Sequence, residues 1–181
     1  MKTEELALEA NSKIEVWANN KNKLVIAIDG YTGVGKTTLS DNLVKLNPEI
    51  VAVHFDDFLL PHKEVKNEDF ELGYNDYPVI EKLINTFRIS SQPHNTRIFN
   101  PISGAVDTPI TYDFSKQILI IDGVRMFHPK LLDHLWDRRV YLEGDTNAID
   151  KRRIERETAV GQQVLPRNSP WITLSTIDHC T

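Results

Sequence analysis

Leu24-Val25-Ile26-Ala27-Ile28-Asp29-Gly30-Tyr31-Thr32-Gly33-Val34-Gly35-Lys36-Thr37 is the stretch whose reading decides the fold. Its first six residues are an apolar, β-branched run, the pattern of a buried parallel strand. Gly30 to Thr37 then fits G-x-x-x-x-G-K-[ST]. From Thr38 to Leu46, leucines 39, 43 and 46 recur at helical spacing, and Asn47-Pro48 is a stop signal. A strand, a glycine loop and a helix in that order turn the pattern into a mechanism. The glycines let successive backbone N–H groups turn inward around phosphate oxygens, where a helix N-terminus adds its positive end. On this reading Gly30, Tyr31, Thr32, Gly33, Val34, Gly35, Lys36, Thr37 and Thr38 cradle the phosphates of a nucleoside triphosphate. Lys36 bridges the β- and γ-phosphates, and the Thr37 hydroxyl binds Mg²⁺.

The composition sets limits around that motif. The chain has 181 residues, 40% hydrophobic and 26% charged, which suits one ordinary globular domain with a sizeable core. A net charge of −5, with no basic run longer than Lys151-Arg152-Arg153, argues against a nucleic-acid partner. Cys180 is the single cysteine, so there is no internal disulfide framework, as in a reducing cytosol. No apolar run approaches the ~18 residues a membrane helix needs, and the acidic start Met1-Lys2-Thr3-Glu4-Glu5 lacks the apolar core of a signal peptide. The expectation is a soluble, cytoplasmic protein with neither membrane nor nucleic acid as partner; self-association is left open.

Further elements follow from periodicity. Leu6, Ala10, Ile14 and Trp17 mark an amphipathic helix over Thr3–Trp17 that covers part of the sheet. Ile50–Phe55 reads as a second strand, Pro78–Phe87 as a helix, and Arg97–Phe99 with Ala105-Val106 as a hairpin. Ile118–Gly123 is a third apolar run, Leu131–Trp136 a short helix and Arg139–Leu142 a fourth strand. Asp145 or Thr146 caps a helix from Asn147 to about Glu157. Strands alternating with helices predict an α/β fold: a P-loop NTPase with three α/β/α layers and a mostly parallel sheet. We assign 1–181 to a single domain, with an N-terminal helix in 1–20, an acceptor-binding insertion in 60–115 and a lid in 150–170.

In open α/β sheets, ligands sit beyond the carboxyl ends of the strands, and two strands here end in acids. Asp122 closes the third run, where a carboxylate holds Mg²⁺; as the first residue of an Asp-Gly pair it also reads as a turn aspartate. Asp56, at the end of the second run, is placed to accept the proton of an attacking alcohol. Simple solvation or helix capping explains Asp56-Asp57 as well. Arg152, Arg153 and Arg156 lie along one predicted helix. They are suited to charge stabilisation by a closing lid, in preference to a solvated face paired with Glu155 and Glu157.

Five motifs in order carry a resemblance: Gly30–Thr37, Phe55-Asp56-Asp57-Phe58, Asp76-Tyr77-Pro78, Ile120-Ile121-Asp122-Gly123 and Arg152-Arg153-Ile154-Glu155-Arg156. Over roughly residues 23–158 the chain resembles the uridine kinase, nicotinamide riboside kinase and phosphoribulokinase superfamily. The resemblance implies transfer of the γ-phosphate of ATP, with Mg²⁺, to a hydroxyl of a small metabolite. It implies catalytic roles for Asp56, Lys36 and Arg153, nucleotide contact by Arg152, and Asp122 in place of the family's glutamate. Asp76 is implied as the acceptor-hydroxyl ligand, with Tyr77 and Arg156 on the acceptor side; Phe70, Tyr74 and Tyr77 are available to stack on a flat ring. Uridine kinases follow a Tyr-Asp-Phe segment with a base-reading histidine and arginine. Here Tyr112-Asp113-Phe114 runs straight through Ser115-Lys116-Gln117 into the next strand and is not equivalent. A GTPase is excluded because Asn22-Lys23-Leu24-Val25 lacks the guanine-reading aspartate. The match fades after Glu157, which leaves a non-catalytic, regulatory nucleotide-binding protein as the alternative.

Overall fold

The structure, a computed structural model, describes residues 3–61, 64 and 74–159, with the backbone alone at 3, 152, 153 and 155–159. Among these residues the strands are β1 (Leu24–Gly30), β2 (Ile50–His54), β3 (His94–Asn100), β4 (Ala105–Tyr112), β5 (Ile118–Asp122) and β6 (Arg138–Leu142). The helices are α1 (Thr3–Ala18), α2 (Lys36–Leu46), α3 (Tyr77–Ile89) and α4 (Thr146–Ala159). A parallel sheet runs in the order β2-β5-β1-β6, so that β1 and β2, joined through α2, flank β5.

The central strands β1 and β5 are apolar up to their carboxyl ends, where Asp29 and Asp122 stand, because both faces are covered. Val25, Ala27, Leu119 and Ile121 point to one side and meet Ile80, Leu83, Ile84 and Phe87 of α3, with Ile98 and Ile110 of the β3–β4 ribbon against them. Leu24, Ile26, Ile28, Ile118 and Ile120 point to the other and meet Ala7, Ile14 and Ala18 of α1 and Leu39 and Leu43 of α2. This is the three-layer α/β/α arrangement expected, and α1 is the packing helix that its periodicity predicts.

Several boundaries differ from expectation. The helix after the glycine loop begins at Lys36, two residues early. The second strand stops at His54, and Phe55–Phe58 form a single 3₁₀ turn, so Asp56 and Asp57 stand on a turn rather than a strand. The helix expected over Leu131–Trp136 is only the 3₁₀ turn Asp133–Leu135, because Trp136 leaves it to bury its ring; its indole N–H donates to the Met126 carbonyl at 2.7 Å. The ribbon is longer than its apolar core, with a register shift at Ile98/Phe99 and Pro109 opposite Arg97. A proline is tolerated in such a two-stranded ribbon, which has free edges. Asp145, not Thr146, caps α4, accepting from the Asn147 N–H at 2.9 Å. Tyr112 and Phe114 are core residues; Phe114 meets Phe87 edge-on at 5.4 Å. Asp69, Phe70 and most of the 61–77 connection lie outside the described residues, as does everything from 160 onward.

Gly123 follows Asp122 directly and has no room for a side chain. A Cβ there would stand 2.5 Å from the Phe55 Cβ and 2.7 Å from the Met126 Sδ. The methionine can yield, but the phenylalanine Cβ is fixed to its backbone. Gly123→Ala is expected to lower stability by about 1–3 kcal/mol, the range for overpacking. Urea unfolding with an unchanged m-value would measure it.

Candidate functional site

The sheet delivers its chemistry at the carboxyl ends of β1, β2 and β5. Gly35 caps α2 at φ 107°, ψ 24°, a left-handed conformation that suits glycine. The Val34 N–H closes a turn on the Tyr31 carbonyl at 3.1 Å, which shapes the loop before the helix begins. Lys36 is buried, and its ammonium donates to the Gly30 carbonyl at 2.9 Å and the Tyr31 carbonyl at 3.2 Å. Burial pushes its pKa below the ordinary lysine value, opposed by the charges of Asp29, Asp56 and Asp122. Asp29 is buried beneath the loop. Burial raises its pKa, while N–H groups of Gly30, Phe127 and Met126 and the Lys36 charge pull it back. This carboxylate therefore joins the phosphate loop to the loop that follows β5.

The Thr37 hydroxyl donates to Asp122 Oδ2 at 3.0 Å. The other oxygen, Oδ1, lies 2.7 Å from His54 Nδ1. That contact raises the His54 pKa above the usual histidine value, against the effect of burial. Asp122 is only 3% exposed, so its charge is held by these partners and not by bulk water. Among the described residues no three His, Cys, Asp or Glu side chains form a metal cluster. One hydroxyl and one carboxylate fit Mg²⁺, a hard cation that takes one or two carboxylates and completes its shell with phosphate oxygens and water.

The other wall is built by the turn after β2. Leu59 and Asn75 form an isolated antiparallel bridge. The Asp76 N–H donates to the Phe58 carbonyl and the Asn75 amide to the Phe55 carbonyl, both at 2.7 Å. Those bonds pin Asp76 beside the turn that carries Asp56, which is exposed. Burial raises the pKa of neighbouring Asp57, where His54 opposes and Asp56 and Asp122 add. Asp76 also caps α3, accepting from the Val79 N–H at 3.2 Å through one oxygen. Tyr77 packs on Phe55 with ring centroids 5.7 Å apart. Burial raises the pKa of its hydroxyl, and the Arg125 charge opposes this. The Tyr112 hydroxyl is buried with no hydrogen-bond partner among the described residues.

The glycine loop is linked to α4. Tyr31 Oη lies 3.3 Å from Asp150 Oδ1, tying the first turns of that helix to the phosphate loop. Arg152, Arg153 and Arg156 fall on α4 by backbone, and their side chains lie outside the described residues. Four participants escaped the sequence reading: Asp29, His54, Asn75 and Arg125. His54 left one signal, a polar residue ending an apolar strand just before an acidic pair. Arg125 stands at φ 61°, rare for a residue with a side chain, and nothing local in sequence marks it.

A glycine loop between a strand and a helix, bonded to the carboxylate that ends the neighbouring parallel strand, defines the P-loop class of proteins. No family model matches the chain. Rat nicotinamide riboside kinase 1 is 35% identical over 132 residues, 73% of this chain and 66% of the relative. The mouse protein of that name is 34% identical, covering 74% and 67%. Uridine-cytidine kinase C of Dictyostelium discoideum is 26% identical, covering 77% of this chain and 31% of the relative. Among solved structures, a "possible uridine kinase" from Bacillus stearothermophilus superposes with a TM-score of 0.60 at 17% identity, covering 84% and 96% of the two chains. D-glycerate 3-kinase from Cryptococcus neoformans gives 0.59 at 14%, covering 90% and 80%. The chain belongs to the nicotinamide riboside kinase family of P-loop kinases. It spans about two thirds of the length of the nicotinamide riboside kinases it matches. Among the described residues no helix is long and apolar enough to cross a membrane.

The cap at Asp76 is open to a direct check. Asp76→Ala is expected to lose about 0.5–2 kcal/mol of stability, the usual range for a lost N-cap. Asp76→Asn, which keeps an acceptor oxygen, is expected to recover most of it in the same urea titration.

Proposed function

We propose that this chain transfers the γ-phosphate of ATP to a hydroxyl of a small nucleoside-like or polyol metabolite. The observation that carries the proposal is convergence. Lys36 feels the charges of Asp56 and Asp122 at once, while Thr37 holds Asp122 at 3.0 Å. Lys36 neutralises phosphate charge, and the exposed Asp56 orients the acceptor hydroxyl and takes its proton late in the transfer. Thr37 and Asp122 would hold Mg²⁺, which when bound neutralises charge on the phosphate oxygens. Asp76 turns its second oxygen to acceptor hydroxyls, with Tyr77 beside it, so segment 60–115 supplies the acceptor side. Segment 150–170 acts as the lid: Arg152 and Arg153 serve the nucleotide and the transferring group, and Arg156 the acceptor. The Tyr31–Asp150 contact supports this, since it starts the arginine-bearing helix at the phosphate loop. A nicotinamide riboside-like nucleoside is the first acceptor to test, because the relatives carry that name.

Two substitutions separate the roles. Lys36→Ala is expected to abolish transfer while circular dichroism and thermal unfolding stay those of a folded protein. Asp56→Asn is expected to keep ATP affinity and to lower turnover by about 10²–10⁴, the usual contribution of a general base. The assay is phosphate transfer from ATP to a panel of ribonucleosides, sugar acids and polyols. ATP binding without transfer to any of them would replace the kinase reading with a regulatory one. Against the preferred acceptor, Asp76→Ala is expected to raise KM by at least about tenfold, since a hydrogen bond to a charged group is worth ~1.5–3 kcal/mol. The Kd for ATP should not change.

A further inference from the structure

We propose that His54 is a positioning residue for the Mg²⁺ site, fixing the Asp122 carboxylate so that its Oδ2 stays directed at Thr37. The inference rests on the reading of Thr37 and Asp122 as the metal-holding pair. Its basis is sheet geometry. His54 and Asp122 are register partners on the adjacent parallel strands β2 and β5. The alternation that sends Ile118 and Ile120 toward α2 sends Asp122 there too, and His54, level with it, faces the same side. The backbone therefore sets the two side chains next to each other before either makes a hydrogen bond.

The ring is held by one hydrogen bond, at Nδ1, and its other nitrogen faces a carboxylate beyond hydrogen-bond distance. Nδ1 lies 2.7 Å from Asp122 Oδ1, and Nε2 lies 3.7 Å from Asp41 Oδ1 on α2. A carboxylate only accepts, so Nδ1 carries the proton it shares. A 2.7 Å N–H···O contact belongs to the short, charge-assisted class. Asp122 then has its two oxygens divided: Oδ1 is committed to His54, and Oδ2 is left with the Thr37 hydroxyl. Without the imidazole, the terminal torsion of the aspartate is free to turn, since such sp³–sp² torsions are broad. The Lys36 ammonium, with two of its three N–H groups on loop carbonyls, then competes for the carboxylate, whose charge it already feels. That turn would draw the carboxylate off the metal position. Groups that orient a metal-ligating side chain from behind are worth about 10–100-fold in metal affinity.

The test uses the full chain and the probes Mg²⁺ and ADP. ADP affinity is measured by calorimetry in EDTA and across a Mg²⁺ series for the parent, His54→Leu, His54→Asn and Asp122→Asn. For His54→Leu, half-saturating Mg²⁺ is expected to rise about 10–100-fold, with ADP affinity in EDTA and the unfolding midpoint close to the parent's. His54→Asn, whose amide can donate from near the Nδ1 position, is expected to return most of the Mg²⁺ response. A His54→Leu protein with the parent's Mg²⁺ dependence would overturn the assignment. So would an asparagine variant that fails to rescue, or an equal loss of ADP affinity in EDTA, which marks a purely structural role. If His54→Leu does not fold, the asparagine variant against Asp122→Asn decides, because positioning requires the first to retain the Mg²⁺ response that the second loses. Asp122→Asn with an unaltered Mg²⁺ response would instead remove the metal reading itself.

Discussion

Everything at the carboxyl edge of the sheet answers to one electrostatic constraint, the burial of Lys36 among carboxylates. An ammonium taken out of water must be compensated, or it gives up its proton. Here compensation comes from two loop carbonyls within 3.2 Å and from the fields of Asp29, Asp56 and Asp122. No direct ion pair forms between Lys36 and any of these acids among the contacts of the described residues. Each acid is instead engaged elsewhere or exposed: Asp29 by backbone N–H groups, Asp122 by Thr37 and His54, Asp56 by solvent. Opposite charges are thereby kept close without collapsing onto one another. A site that handles triphosphate charge needs both signs available.

The fold meets that requirement with short-range devices anchored in long-range order. Parallel pairing places His54 level with Asp122, although 68 residues separate them. The bridge between Leu59 and Asn75 folds the chain before α3 back on the Asp56 turn, and Asp76 is then fixed by starting a helix. The first turns of α4 are moored to the loop through Tyr31 and Asp150. In each case a backbone feature sets the position and one polar side chain completes it.

What could be read from the sequence was local. The glycine loop, the apolar strands and the strand-end Asp122 announce themselves within a few residues, since period, composition and punctuation act over that range. Ends of elements were harder. Lys36 joins the helix because Gly35 turns the chain at φ 107°, and His54 ends a strand because Phe55 drops into the core as a turn begins. The length of the β3–β4 ribbon depends on cross-strand pairing, which its polar sequence barely signals. The apolar spacing reads Trp136 as the end of a helix, whereas the Met126 carbonyl, ten residues before it, claims its indole. His54 and Asp29 were invisible for the same reason: their partners arrive from β5 and from the loop beyond it.

The close approach of Phe55 to Gly123 has a mechanical meaning. Phe55 is bonded to Asp56, and Gly123 is bonded to Asp122. At that contact there is no room for even one added carbon. A shift of the backbone under one carboxylate is therefore transmitted to the other, because a close-packed contact cannot absorb it. The two acids thus stand on two arms that meet at one close-packed contact, the Phe55 Cβ against Gly123. Substitutions on either arm should interact energetically rather than sum, as groups sharing a packed contact do. Drift in such a protein would then have to change both arms together or spare them both.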